Sequence, residues 1–194
     1  MKTAARFVFW LLVTCSVQQE WLRAQTEKET TPQRSTCTVP REELEVYVIY
    51  LNQESSPHVV VAQTESAQPD VDTLNLRLAT QGRGIPPDVR ANFKAKNKSA
   101  CAIKPFAGTP NLHFISREEH DTIFRAGWGE FHKRYGQDAE ILWLSRVGFN
   151  SDRTLALLHV SGGIDRMAGG GELYLFERKE GKWVIKSHIQ TWAT

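Results

Sequence analysis

The chain is poor in charge of one sign, in cysteine and in long apolar runs, and each shortage excludes something. Lys and Arg number 24 against 22 Asp and Glu in 194 residues. So near a balance gives no electrostatic footprint for nucleic acid or an anionic membrane. Lys94, Lys96 and Lys98 cluster around Asn97, and this is read as a solvated helix end rather than a phosphate site. One apolar run stands out, Phe7–Val13. At seven residues it falls well short of the ~20 a membrane-spanning helix needs, so no integral membrane segment is expected. There are three cysteines, Cys15, Cys37 and Cys101. None has a Cys or His neighbour at ligand spacing, so no metal site and no cofactor are expected. The chain has no Gly-x-Ser-x-Gly elbow, and its Gly-rich stretch lacks the Gly-Lys-Ser/Thr of a phosphate loop. No internal repeat is visible.

What is present begins with export chemistry. Lys2 and Arg6 precede the apolar run, and Leu22-Arg23-Ala24 ends on a small residue a signal peptidase could cut after. Residues 1–24 are therefore read as a signal peptide and the protein as secreted or periplasmic. Leu22 is larger than the cleavage pattern prefers. A rival reading makes Leu12-Val13-Thr14-Cys15 a lipoprotein box with Cys15 acylated, although Thr14 stands where Gly, Ala or Ser is usual. A third keeps the run as a buried helix of a cytosolic protein. Loss of residues 1–24 removes Lys2, Arg6, Arg23 and Glu20, leaving 21 basic and 21 acidic residues and no net charge. In an oxidising compartment the remaining even pair, Cys37 and Cys101, reads as one disulfide, the alternative being two free buried thiols. The bond would close a loop of roughly 65 residues, worth about 4 kcal/mol in loop-closure entropy.

Residues 25–37 are polar and aperiodic, a disordered lead-in. Residues 38–194 are long enough for one globular domain. Leu44, Tyr47, Val48 and Leu51 recur at helical spacing after Pro40, with a strand as the minority reading. His58–Ala62 reads as a strand, 65–85 as irregular despite Leu74, Leu76 and Leu78, and Val89–Asn97 as a helix opened by Pro86-Pro87. Leu112–Ile115 is a strand. Ser116-Arg117-Glu118-Glu119 is a capping box for a helix through Phe124, and Glu130–Tyr135 adds a further turn or two. Four strands close the chain: Ile141–Phe149, Thr154–Val160, Glu172–Arg178 and Trp183–Ile189. The long Gly-rich connection 161–171 separates the second from the third. In the last strand Trp183, Ile185 and Ile189 alternate with Lys186, His188 and Gln190. Short connections imply antiparallel neighbours. The expected class is α+β, with N-terminal helices on one face of a C-terminal antiparallel meander of four or more strands.

Ser145-Arg146-Val147-Gly148-Phe149-Asn150, then Gly181-Lys182-Trp183 and the closing Thr191-Trp192, resemble a group of secreted bacterial proteins with no assigned function. Glu45-Val46-Tyr47, Asn92–Asn97 and Gly127–Phe131 resemble it too, so the likeness covers essentially all of 38–194. It implies a family and no activity. Members of the group often place a close cysteine pair in the turn that is 161–171 here; this chain has none, which removes any role that needs such a clamp.

Candidate site residues are few. Arg146 sits in an apolar strand, so it is either a fork for a carboxylate or phosphate ligand or a structural tie to Glu130 or another helix carboxylate. His159 and His188 lie on neighbouring strands and could do acid–base work with Arg146, or be ordinary sheet histidines. Asp165, Arg166 and Met167 stand at the tip of the Gly-rich connection and could meet a partner. His120 lacks the second histidine a helical metal motif needs. Trp192 is expected to be partly exposed. The leading expectation is a non-catalytic binding domain, possible partners being proteins and not nucleic acid. The alternatives are a small hydrolase or ligand-converting enzyme with a pocket near Arg146, and a cell-envelope inhibitor or assembly subunit using 161–171.

Overall fold

A computed structural model describes residues 37–194 apart from 54, 55 and 67. The leader, Cys15 and the lead-in before Cys37 lie outside the described residues. Five helices follow in order: α1 (Arg41–Leu51), α2 (Val71–Ala79), α3 (Pro87–Lys96), α4 (Arg117–Ala126) and α5 (Trp128–Tyr135). The strands are β1 (His58–Val61), β2 (Leu112–Ile115), β3 (Glu140–Leu144), β4 (Gly148–Phe149), β5 (Leu155–Asp165), β6 (Ala168–Lys179) and β7 (Lys182–Ala193). All seven strands join one sheet in the order β2-β1-β3-β5-β6-β7, with β4 against β5.

The class is α+β, but the meander is only part of the sheet. β1 pairs in parallel with both β2 and β3, and only from β3 onward are the pairs antiparallel. Parallel pairing needs crossovers, and these are supplied by α2–α3 between β1 and β2 and by α4–α5 between β2 and β3. Helices also cover both faces, not one. Val46, Tyr47 and Leu51 of α1 pack on Leu142, Leu144, Ala156, Leu158 and Phe176. On the opposite face α2 and α3 cover Leu157, Leu173 and Leu175, while α4 and α5 cover Val59, Val61 and Ile141. The reason is the β-rich, near-continuous apolar composition of β1 and β5, whose side chains need cover on both sides.

Three local expectations change. Residues 71–79 are a helix, not irregular: Asp70 caps it through the amides of Asp72 and Thr73, and Val71, Leu74 and Leu78 turn inward at helical spacing while Leu76 is exposed. The segment Ile141–Phe149 is two strands broken at Ser145–Val147, which puts Val147 and Phe149 on the α1 face with Leu142 and Leu144. The stretch 161–171 is strand rather than flexible loop. Ser161, Gly162 and Gly163 pair with Gly171, Gly170 and Gly169, and only Arg166 and Met167 form the turn. At Gly148, which contacts α3, a Cβ would stand 2.5 Å from that of Phe93, so the close approach of helix and strand requires glycine.

β7 carries two bulges. Leu175 pairs with Ser187 and Phe176 with Ile185, leaving Lys186 extra. Glu172 pairs with Gln190 and Gly171 with Trp192, leaving Thr191 extra. A bulge re-aims everything beyond it. Ile189 therefore joins Leu173 on the α2–α3 face, opposite Trp183 and Ile185, contrary to simple alternation.

Candidate functional site

Arg146 is not a ligand fork. Its Nε donates to Glu43 Oε2 at 2.8 Å and its Nη2 to Glu43 Oε1 at 2.7 Å. Lys96 Nζ and the Val147 amide donate to the same carboxylate, each at 2.9 Å. Glu43 is fully buried on α1. Burial alone would raise its pKa, and the hydrogen bonds from Arg146, Lys96 and Val147 outweigh that and hold it below the ordinary carboxylate value. The tie is thus to Glu43 and not Glu130, which pairs with Arg134. Of the lysine cluster only Lys96 turns inward, to Glu43; Lys94 and Lys98 are exposed at the helix end, Lys94 donating to the Asp72 carboxylate at 2.6 Å. Cys37 and Cys101 form the disulfide, and Arg146 Nη1 lies 2.8 Å from Cys101 Sγ.

His159 and His188 do not converge. His159 pairs with Leu173 and takes the α2–α3 face; His188 pairs with Tyr174 and takes the α1 face, its ring stacked on Tyr174 at 5.5 Å. Paired residues share a face, so neighbouring rows alternate. With the two histidines on opposite faces and Arg146 engaged by Glu43, the three do not form one site. Asp165, Arg166 and Met167 do reach solvent at the hairpin tip, Met167 and Ile164 being exposed.

The structure instead gives His159 different company. Along β5 the row on its face reads Leu157, His159, Ser161: Leu157 belongs to the α2–α3 cluster, and Ser161 pairs with Trp143 beside the α4–α5 cluster. The polar residues fall in the seam between them. Here a cleft of about 630 Å³ is lined by Glu65, Gln68, Asp70, Thr73, His159, Thr191 and Trp192, with Pro69 and Leu74. The second bulge of β7 places both Thr191 and Trp192 on it, and Trp192 lies across Gly171, where a Cβ would meet the indole nitrogen.

His159 is 3 % exposed. Its Nε2 is 3.2 Å from Thr191 Oγ1, and its Nδ1 is 3.8 Å from Glu65 Oε2, too long for a hydrogen bond. Glu65 Oε2 accepts from Ser161 Oγ at 2.9 Å. Burial depresses the His159 pKa to about 4. It also raises that of Glu65, against the hydrogen bond from Ser161 and the charge of Arg117. His159 Nδ1 and Gln68 Oε1 are buried with no hydrogen-bond partner among the described residues. Gln68 Nε2 donates to the Glu65 carbonyl, which fixes the orientation of its amide.

Hydroxyl, imidazole and carboxylate in a row have the order of an acyl-transfer triad. Two features weigh against such chemistry. A histidine pushed down to about 4 is a weak base at neutral pH. No Lys or Arg lines the cleft, and the amides of Asp72 and Thr73 at the start of α2 are taken by Asp70 Oδ1, so no donor is provided there for a developing oxyanion. The buried atoms of the cleft left without a partner among the described residues are His159 Nδ1 and Gln68 Oε1.

The buried imidazole has a measurable consequence. The folded pKa lies below the free value of about 6.5, so the unfolded chain binds more protons between the two. The stability this histidine contributes is complete above about pH 6.5 and is lost as pH falls toward 4, up to about 3 kcal/mol from a shift of this size. Glu65 acts in the opposite sense, because its raised pKa favours the folded state at low pH. In urea titrations, His159→Gln is expected to flatten the acid limb between pH 6.5 and 4; an unchanged limb would show that His159 titrates normally.

No family model, curated protein or solved structure matches the chain, so the resemblance to the secreted group rests on the quoted residues alone. The fold defines a three-layer domain: α1 on one side of a mixed sheet, two helix pairs on the other, and an acceptor-lined cleft in the seam between those pairs.

Proposed function

We propose that the protein is an exported, non-catalytic binding domain whose ligand cleft is centred on His159. One observation carries this reading: among the described residues, His159 Nδ1 and Gln68 Oε1 are buried without a partner at a cleft whose imidazole is made a weak base by its burial. Such a lining complements a ligand better than a transition state. The disulfide supports an oxidising compartment, and among the described residues no helix is long and apolar enough to cross a membrane.

The test sets turnover against binding. Purified protein is given a panel of chromogenic esters, amides and glycosides, and separately a panel of small polar ligands read by thermal shift. The expected outcome is no turnover above the buffer rate, with at least one ligand raising the melting temperature in the wild type but not in His159→Leu. Saturable turnover abolished by His159→Gln or Thr191→Val would replace the reading with an enzymatic one.

A second reading is favoured by the ordered β5–β6 hairpin, whose tip exposes Ile164 and Met167 beside Asp165 and Arg166. In it the tip enters a protein partner of the cell envelope. It requires that the tip can be replaced without lowering the melting temperature.

A further inference from the structure

The geometry points to a small organic ammonium ion as the ligand of the His159 cleft, held between Glu65, His159 Nδ1 and Gln68 Oε1 with the Trp192 ring at the rim. This inference rests on the binding reading and gives it a chemical class. Among the described residues, the buried lining atoms without a partner are Gln68 Oε1 and His159 Nδ1. Gln68 Oε1 is an acceptor by the orientation of its amide. In the tautomer whose Nε2–H donates to Thr191 Oγ1, which the inference assigns to neutral His159, Nδ1 presents a bare lone pair. That lone pair faces Glu65 Oε2 across 3.8 Å, two acceptors with no donor between them. An N–H group entering there answers both, and an ammonium carries three such donors. Buried acceptors left without a donor are costly, so the site favours a donor-rich ligand over an apolar or anionic one.

The charges agree with this. Glu65 and Asp70 are the ionisable acids of the lining, and no Lys or Arg joins them. Arg117 acts on Glu65 from α4, and Lys94 on Asp70 from α3, without lining the cleft. The positive end of α2 also points to this region, but the Asp70 carboxylate covers its amides. Trp192 is 43 % exposed and offers an aromatic face to a cation. A metal ion fits less well: among the described residues no three His, Cys, Asp or Glu side chains are placed to hold one. Pro69 and Leu74 supply apolar wall for a short alkyl chain.

The probe is n-butylamine, with n-butanol and butyrate as neutral and anionic counterparts of the same length. Binding to the full mature protein at about pH 7, where His159 is neutral and the amine charged, is followed by the His159 ring nitrogen signals in NMR and by Trp192 fluorescence. The amine is expected to saturate, with the Nδ1 resonance shifting as its lone pair accepts. Butanol should bind at least about tenfold more weakly and butyrate not at all, the loss a charge-assisted hydrogen bond commands. Glu65→Gln, nearly isosteric, should weaken the amine by about tenfold or more. Should that variant fail to fold, Trp192→Phe and Trp192→Ala at the exposed rim decide by the His159 signals, the first retaining affinity and the second losing about threefold or more. Equal responses to amine and butanol, or amine binding that ignores Glu65→Gln or Trp192→Ala, overturn the inference. An uncharged or anionic ligand found to occupy the cleft would leave the binding reading standing and the charge class refuted. Turnover dependent on His159 would refute both.

Discussion

Arg146→Met is expected to lower the free energy of unfolding by about 3–5 kcal/mol at neutral pH, the cost of leaving a buried charge without its main partner. Glu43 has no solvent exposure and accepts four hydrogen bonds, two of them from the Arg146 guanidinium. With Arg146 gone, Lys96 and the Val147 amide remain, and Lys96 is itself partly exposed and drawn toward water. The carboxylate then has to take up a proton or pull α1 away from the sheet. The pH dependence gives the sign. In the wild type the Glu43 pKa is lowered, so its contribution is present above about pH 4.5, the ordinary carboxylate value, and fades as pH falls through the folded pKa. In Arg146→Met burial is less opposed and the pKa rises, so protonation relieves the variant. The gap between the two proteins should therefore be widest near neutrality and narrow in acid. Glu43→Met combined with Arg146→Met should be more stable than Arg146→Met alone, since the orphaned charge is gone. Urea midpoints with an unchanged m-value measure all three. A loss below about 1 kcal/mol at neutral pH would mean the pair behaves as a surface salt bridge.

Much of this core was legible because local chemistry and global packing agree. Ser116 predicts a helix start, and its Oγ does accept from the Glu119 amide at 3.0 Å. Leu112–Ile115 is a strand within the predicted bounds, as Pro86-Pro87 is the start of α3. What failed did so for a common reason, that a local pattern does not report on a distant partner. Leu74-x-Leu76-x-Leu78 suggests alternation, and only packing on Leu173 and Leu175 makes Leu76 the exposed one. Glycines at 161–171 read as a loop because glycine weakens a strand. Here the sheet wants them small: Trp192 covers Gly171, and a Cβ at Gly162 would collide with the Ile141 carbonyl. An arginine in an apolar strand implies exposure or a partner, but Glu43 lies 103 residues away and nothing in the spacing names it.

The site shows the same limit more sharply. His159 and His188 lie on β5 and β7, and simple alternation along β7 does not reveal that they take opposite faces. Two extra residues, Lys186 and Thr191, break that parity. They exchange His188 for Thr191 and Trp192 as the neighbours of His159. Glu65 comes from a segment outside any regular element, fixed by its amide's hydrogen bond to the Leu144 carbonyl. Bulges carry no strong sequence signature, so the members of this cleft become visible only when the strands are paired.

Replacing both Cys37 and Cys101 by Ala is expected to cost about 4 kcal/mol, within the usual 2–5 kcal/mol for a structural disulfide. The bond joins residues 64 apart and closes a loop that holds α1, β1, α2 and α3. Opening it gives the unfolded chain freedom it otherwise lacks, at about 4 kcal/mol for a loop of that length. There is a native-state component as well. Cys101 is buried, and Arg146 Nη1 donates toward its sulfur. Alanine there removes an acceptor from a guanidinium whose other arms hold Glu43, so the double variant and Arg146→Met should not be additive. Around the bridge, the Val39 amide donates to the Ala102 carbonyl and the Ala102 amide to the Cys37 carbonyl, each near 3 Å. These bonds tie the start of the domain to the strand-like segment after α3, and they should fray first once the staple is gone. Amide exchange at Val39 and Ala102 is expected to speed up more than at Leu142 or Phe176 in the sheet. Intact-mass measurement is the accompanying check: a cystine-bonded protein is lighter by two hydrogens than its reduced form, and the proposed export with cleavage after Ala24 would further leave residues 25–194. A reduced protein with an unchanged urea midpoint would show that the two sulfurs contribute only packing.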